Sequence, residues 1–432
     1  MIEKVIFRVR RDAAFLAGDK VKDKSVSLYL IAALILLGAT GLFAFTAFQG
    51  KYMFRAEPQR ECEAVPLAQK PLQSREPLET LFMRERLETD AQRDAYDTVS
   101  DYALAVDSDR FSLYGVSEDD LQIVLNAFRS DHPEVFWVDS FSCVRYGDSD
   151  PLYAELNYTD GYDELLAQRD ALRAAVEAAA AGAPDQASDY EVELYLNDYI
   201  ADRCVYDLEG EGNHTAYGAL VGGHAVCDGY SRAFQLLCRR LGIECTVVEG
   251  SSDFDGGGEG DGHMWNCIQL GGDWYHVDVT WNDAAEPTCE AERYFYLNLT
   301  TEQISRDHRI SGGFDGWSQD EDAYFNIYVP ACNSDALNYM RLNFVTVGNP
   351  EHDEPMVAAL IEAARQKRSY CAFLLDDGAD IQALSQSITE RYAAEWIRGA
   401  NHFLNGKPAI AGHGRNVTYE NRRVMAILLE YD

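Results

Sequence analysis

AVCDGYSRAFQLLCRRLGI (225–243), GHMWNCIQLGG (262–272) and DWYHVDVTWND (273–283) fit one another, and how they are read decides the fold around them. In the first, Tyr230, Phe234, Leu237, Cys238 and Leu241 recur at helical spacing. Gly242 stands where a left-handed C-terminal cap belongs, so the spacing predicts a helix that begins near Cys227. The other two alternate as strands around Gly271-Gly272, a hairpin-turn dipeptide. With those glycines as a two-residue loop, Leu270 faces Asp273, Trp265 faces Asp278, and His263 lies one diagonal step away on the same face. One more residue in the loop, without a compensating bulge, would put His263 and Asp278 on opposite faces.

These residue types in this pattern suit nucleophilic catalysis. A cysteine at a helix N-terminus meets unpaired backbone N–H groups and the positive end of the helix dipole, which stabilise a thiolate and a developing oxyanion. The candidate catalytic set is therefore Cys227 as nucleophile, His263 as base and Asp278 as the group that orients the base. His276 shares the Asp278 face and is the rival base; His263 is preferred because it ends its strand beside a loop, where substrate-facing groups sit. Cys238, on the apolar stripe of the same helix, reads as a buried structural thiol. His224-x2-Cys227 and His263-x3-Cys267 look superficially like zinc-ligand spacing. On one strand, however, His263 and Cys267 would lie about 13 Å apart, too far to share an ion with bonds near 2 Å. No metal and no cofactor is expected.

At this point the residues resemble a family. VCDGYSRAF followed by L and GI, then GHMWN, then GGDWYHVDVTWND is similar to the transglutaminase-like core of many bacterial surface proteins and of relatives such as transglutaminases and peptide N-glycanases. The resemblance runs from about Tyr190 to His308 and includes the approach TAYGALVGGHAVCDGY (215–230). It implies a papain-like α/β fold and a Cys–His–Asp triad that maps onto Cys227, His263 and Asp278. Two departures are the Gly- and Asp-rich SSDFDGGGEGDG (251–262) and Met264, where relatives often have Ala. The acidic loop reads as a rim of the cleft; calcium held by Asp253, Asp255, Glu259 and Asp261 is an alternative whose spacing departs from the EF-hand pattern.

Working outward, the 432 residues exceed one typical domain of about 100–200, and 47% hydrophobic with 12% aromatic content supports packed units along most of the chain. The formal charge of -35 excludes a phosphate-tracking groove, so no nucleic-acid partner is expected. Val26 to Phe48 is an uncharged run of 23 residues, matching the span of about 20 that crosses a bilayer. The preceding Lys4, Arg8, Arg10, Arg11, Lys20, Lys22 and Lys24 predict a cytoplasmic N-terminus, with everything after Gln49 outside and the lipid bilayer as a partner. A cleaved signal peptide would have a shorter apolar region, of about 7–15 residues, ending in small residues, which Phe45 and Phe48 are not.

The expected organisation is α+β: a cytoplasmic basic segment (1–25), a transmembrane helix (26–48), a proline-bearing stalk (49–90), a small α+β domain (91–183), the papain-like, transglutaminase-like core (184–312) and a C-terminal α/β appendage (313–432). The ten cysteines show no compact disulfide framework; if Cys227 stays a thiol, nine remain and at least one more is unpaired. The expected activity is an extracytoplasmic, membrane-anchored cysteine acyl transfer on protein or peptide amides, with hydrolysis favoured over transfer to an amine. The alternatives are a cross-linking transglutaminase and a non-catalytic surface binding module on the same scaffold.

Overall fold

The structure, a computed structural model, describes residues 67–147, 150–253, 261–284, 287–311, 327–405, 409–411 and 415–432. The expected membrane helix (26–48), the basic segment before it and most of the acidic loop lie outside the described residues. Among the described residues, no helix is long and apolar enough to cross a membrane.

The described chain divides into two units, 67–283 with 296–334, and 284–295 with 335–432. The first opens with helix α1 (Asp90–Ala105), started by a capping box in which Thr89 Oγ1 accepts from Gln92 N and Gln92 Oε1 accepts from Thr89 N, both at 3.1 Å. Strand β1 (Phe111–Leu113), helix α2 (Glu118–Asp131) and strands β2 (Val138–Val144) and β3 (Leu152–Tyr158) follow, the strands forming an antiparallel sheet ordered β1-β3-β2. Helices α3 (Tyr162–Ala181) and α4 (Asp189–Ala201) lead to the short parallel pair β4 (Val205–Tyr206) and β5 (His224–Ala225).

Helix α5 (Cys227–Arg240) then begins at Cys227 and ends before Gly242, whose φ of 74° is the left-handed cap that Gly adopts without steric cost. Strands β6 (Cys245–Ser252), β7 (Asp261–Leu270) and β8 (Asp273–Val277), the short helices α6 (Val279–Asn282) and α7 (Thr301–Ile304), and strand β9 (His308–Ile310) complete the unit. Their sheet is antiparallel in the order β8-β7-β6-β9, with α5 packed on β6 and β7. The β7–β8 hairpin pairs Leu270 with Asp273 and Asn266 with Val277, the register that an even loop dictates.

The sequence reading differs from the structure in two ways within this unit. The part of the expected stalk that is described, 67–90, is not a free linker: Phe82, Met83 and Leu87 are buried in the core shared by α1 and α2. Arg75 reaches Asp189 at 2.7 Å. Prolines mask this in the sequence, since three apolar residues spaced by charges carry no helix or strand period. Nor is the boundary expected between 183 and 184 a break in packing. The last carbonyls of α2 have no partners in their own helix, and the outer face of α5 supplies them: Arg232 donates to Arg129 O (2.9 Å), Gln235 to Ser130 O (2.7 Å) and Arg239 to Asp131 O (2.6 Å). A helix that carries a candidate nucleophile is thereby fixed from behind.

The second unit contains helix α8 (Tyr339–Asn343), strand β10 (Val345–Val347), helix α9 (Glu354–Arg365), strand β11 (Tyr370–Leu375), helices α10 (Ile381–Ser387) and α11 (Ala393–Leu404), and strands β12 (Asn416–Tyr419) and β13 (Val424–Leu428). Its sheet runs β10-β11-β13-β12, parallel only between β10 and β11. A π turn at Ile388–Tyr392 separates α10 from α11.

Gly250 holds β6 and β9 together. A Cβ there would lie 2.0 Å from Arg309 O and 2.8 Å from the Trp265 ring, so backbone must move. Gly250→Ala should lower stability by about 2 kcal/mol or more, read by urea unfolding. A stability within 0.5 kcal/mol of wild type, on the order of an ordinary surface change, would contradict this packing.

Candidate active site

Nine cysteines are described; none is in a disulfide, eight are buried, and Cys227 alone among them is partly exposed. It is the first residue of α5, and the residue before it, Val226, has no side chain that could cap the helix. The carboxylate of Asp228, which would repel a thiolate, is instead 2.9 and 3.0 Å from His214 Nδ1.

Two polar side chains fix α5 against β7. Ser231 Oγ donates to Met264 O at 2.9 Å, and Asn266 Nδ2 donates back to Ser231 O at 3.0 Å. Ser231 lies one helical turn after Cys227, and Met264 follows His263, so this reciprocal pair sets the spacing between thiol and imidazole. Both residues are buried, where lost partners are costly.

His263 is 6% exposed and Asp278 is fully buried. His263 Nε2 donates to Asp278 Oδ2 at 2.7 Å, which leaves Nδ1 free for the thiol. Burial alone would hold the imidazole neutral. The Asp278 carboxylate, its hydrogen bond and the hydrogen-bonding Cys227 overcome that and push the His263 pKa up to about 9. Asp278 shows the converse: burial raises its pKa, but the two imidazoles beside it prevail and hold it well below the usual carboxylate range. It is also the N-cap of α6, its Oδ1 accepting from Trp281 N at 3.1 Å. One carboxylate thus uses one oxygen to start a helix and the other to hold imidazoles.

The second imidazole is His308 at the start of β9, which the sequence reading did not single out. Its Nε2 lies 3.0 Å from Asp278 Oδ2 and its Nδ1 2.7 Å from Asp307 Oδ1. Asp307 is held in turn by Tyr296 Oη at 3.0 Å. Only the DHR triplet at 307–309 could have marked it, and three residues without a period are a weak signal.

His276, the rival base, faces another way. It is fully buried, accepts from Trp265 Nε1 at 3.1 Å, contacts Cys267 Sγ at 3.3 Å and meets Thr301 Oγ1 at 3.2 Å through Nε2. Cys267 Sγ is 3.7 Å from Cys332 Sγ. His263 and Cys267 therefore belong to different clusters, and His224 turns its Nε2 to Glu211 O at 2.9 Å.

Among the described residues, His263, Asp278 and His308, and separately Cys267, His276 and Cys332, have ligand atoms within 4.8 Å of one another and could hold a metal ion by distance alone. In the first cluster the facing nitrogens are engaged with the carboxylate; in the second the Trp265 N–H occupies His276 Nδ1. Of the four candidate calcium ligands only Asp253 has a described side chain, so the calcium alternative lies outside the described residues.

The chain carries a transglutaminase-like domain: the profile of the transglutaminase-like superfamily core matches residues 176–279. Kyphoscoliosis peptidase of Mus musculus and of Homo sapiens is 37% identical over 79 residues, which is 17% of this chain and 12% of each relative. The chain thus spans a small part of the curated relatives that it matches. Among solved structures, a crystal structure of a TGase has a TM-score of 0.24 at 15% identity, covering 41% of this chain and 52% of that one. The periplasmic domain of TgpA from Pseudomonas aeruginosa has a TM-score of 0.20 at 16% identity, covering 33% and 58%. The fold is mixed helix and sheet, with the transglutaminase-like match at residues 176–279.

The pH dependence of stability follows from these shifts. The folded His263 pKa lies above its unfolded value near 6.5, so its contribution is fully present below that and is lost as pH rises through about 9. The depressed Asp278 works on the other side: its contribution is present above the unfolded value of about 3.9 and is lost as pH falls through the folded one. Urea unfolding at pH 6 and pH 10 should find wild type losing roughly 3 kcal/mol more than His263→Ala. Equal losses would contradict the ion pair.

Proposed function

We propose that the chain is a cysteine acyl-transfer enzyme acting on protein or peptide amides, with Cys227 as nucleophile, His263 as base and Asp278 as its orienting group. The observation that carries this reading is the His263 Nε2–Asp278 Oδ2 contact of 2.7 Å, beside the one partly exposed cysteine among those described. A chain of nucleophile, base and buried orienter is the arrangement that activates a weak nucleophile at neutral pH.

In the proposed cycle the Cys227 thiolate attacks the amide carbonyl carbon. The oxyanion is met by backbone N–H groups at the start of α5. His263 delivers its Nδ1 proton to the departing amine as the C–N bond breaks, leaving an acyl-thioester on Cys227. The neutral imidazole then takes a proton from the acceptor, which attacks the thioester and expels the Cys227 thiolate, restoring the thiolate–imidazolium pair. Water as acceptor gives hydrolysis and a lysine amine gives a cross-link. Hydrolysis is favoured because water is always available, while transfer to an amine needs a site that excludes it.

The same reading takes the enzyme to be extracytoplasmic and tethered by 26–48, supported by that run's length and by the basic residues before it. Incubating the protein with a peptide pool and a labelled primary amine should yield free carboxylates, with an acyl adduct on Cys227 detectable by mass spectrometry. Cys227→Ala should give neither. Incorporation of the amine in place of water would overturn the hydrolytic reading, and an undiminished yield from Cys227→Ala would overturn the nucleophile.

A further inference from the structure

We propose that His308 is a permanently charged positioning residue that pins Asp278 and sets how strongly Asp278 holds the proton on His263. The inference deepens the acyl-transfer reading and rests on it.

Each nitrogen of the His308 ring faces a carboxylate oxygen, Nε2 to Asp278 Oδ2 at 3.0 Å and Nδ1 to Asp307 Oδ1 at 2.7 Å. A neutral imidazole carries one N–H, so one of these contacts would set lone pair against lone pair. With both nitrogens protonated, both contacts become charge-assisted hydrogen bonds. The side chains of His308, Asp278 and Asp307 are 0–1% exposed, so an unpaired carboxylate there would be expensive and the imidazolium is the available counter-charge. Burial opposes the charge, but the two carboxylates raise the His308 pKa above its ordinary value.

The surroundings fix the ring. Trp281 lies 4.6 Å from it, Trp265 5.0 Å, His263 5.2 Å and Tyr296 5.7 Å, centroid to centroid. The ionisable groups that face His308 are therefore Asp278 at the end of β8, Asp307 beside it, His263 on β7 and Tyr296, which donates to Asp307.

Two consequences follow. Asp278 Oδ2 receives a second donor, so the carboxylate cannot rotate away when His263 swings toward a leaving group. Further, a positive charge 5.2 Å from His263 opposes protonation there. His308 thus limits the rise that Asp278 imposes and keeps the His263 proton transferable. Without it His263 would be the stronger base and the poorer acid.

The rate of Cys227 alkylation by iodoacetamide, followed on the full-length protein across pH 5–11 by mass spectrometry of the Cys227 peptide, reads the thiolate–imidazolium pair without any substrate. His308→Gln keeps a donor for Asp278 but removes the charge. It should move the upper inflection of the profile, where His263 loses its proton, up by about one pH unit. In peptide hydrolysis it should lower kcat about tenfold with KM within about twofold. Asp307→Asn, which leaves the ring in place but removes the carboxylate that keeps it charged, should shift the inflection in the same direction by less; it carries the test if His308→Gln does not fold.

Profiles of both variants that overlay wild type, with only a lower Tm, would overturn the role assigned to His308. A wild-type Cys227 that reacts no faster at pH 7 than an ordinary cysteine would instead overturn the acyl-transfer reading, so the two failures are separable.

Discussion

The Asp278 carboxylate is the point on which the site turns. It is fully buried and accepts from a backbone N–H and two imidazoles, Trp281 N at 3.1 Å, His263 at 2.7 Å and His308 at 3.0 Å. A buried anion is tolerable only when its lone pairs are met and its charge is balanced. The chain reaches that state by bringing together the end of β8, the first turn of α6, a residue near the start of β7 and the start of β9. Remove the carboxylate and a helix start and two imidazoles lose their partner together.

The scaffold exists to keep that arrangement in register with the cysteine. An even hairpin loop puts His263 within reach of Asp278; the Ser231–Met264 and Asn266–Ser231 bonds hold α5 to β7; the arginines and Gln235 on the far side of α5 bind the frayed end of α2. Gly250 lets β9 come close enough for His308 to arrive. These are backbone and short polar contacts, more directional than apolar packing, which suits a spacing that must hold to a fraction of an ångström.

Much of this was legible in the sequence, and what was missed has physical reasons. The helix from Cys227 to its glycine cap and the hairpin register are local patterns, with periods of 3.6 and 2 and a Gly-Gly turn, and local patterns survive in a string of letters. His308 did not, because it reaches Asp278 from 30 residues away and sits in a three-residue strand, too short to show a period. The segment 67–90 read as linker because prolines and charges outnumber the few apolar residues that pack, and its partners are spread from α1 and α2 to Asp189 on α4. The division of the α10–α11 region by a π turn leaves no compositional mark. His276 and Cys267 shared the residue types of a site, and only their burial beside Trp265, Thr301 and Cys332 separated them from it.

The central claim is that Asp278 keeps His263 charged and that this charge makes Cys227 reactive. The most direct measurement is the alkylation rate of Cys227 at pH 7 in Asp278→Asn against wild type, with folding checked by circular dichroism. The account predicts a fall of about tenfold or more in the variant. Equal rates at pH 7 in two equally folded proteins would contradict it.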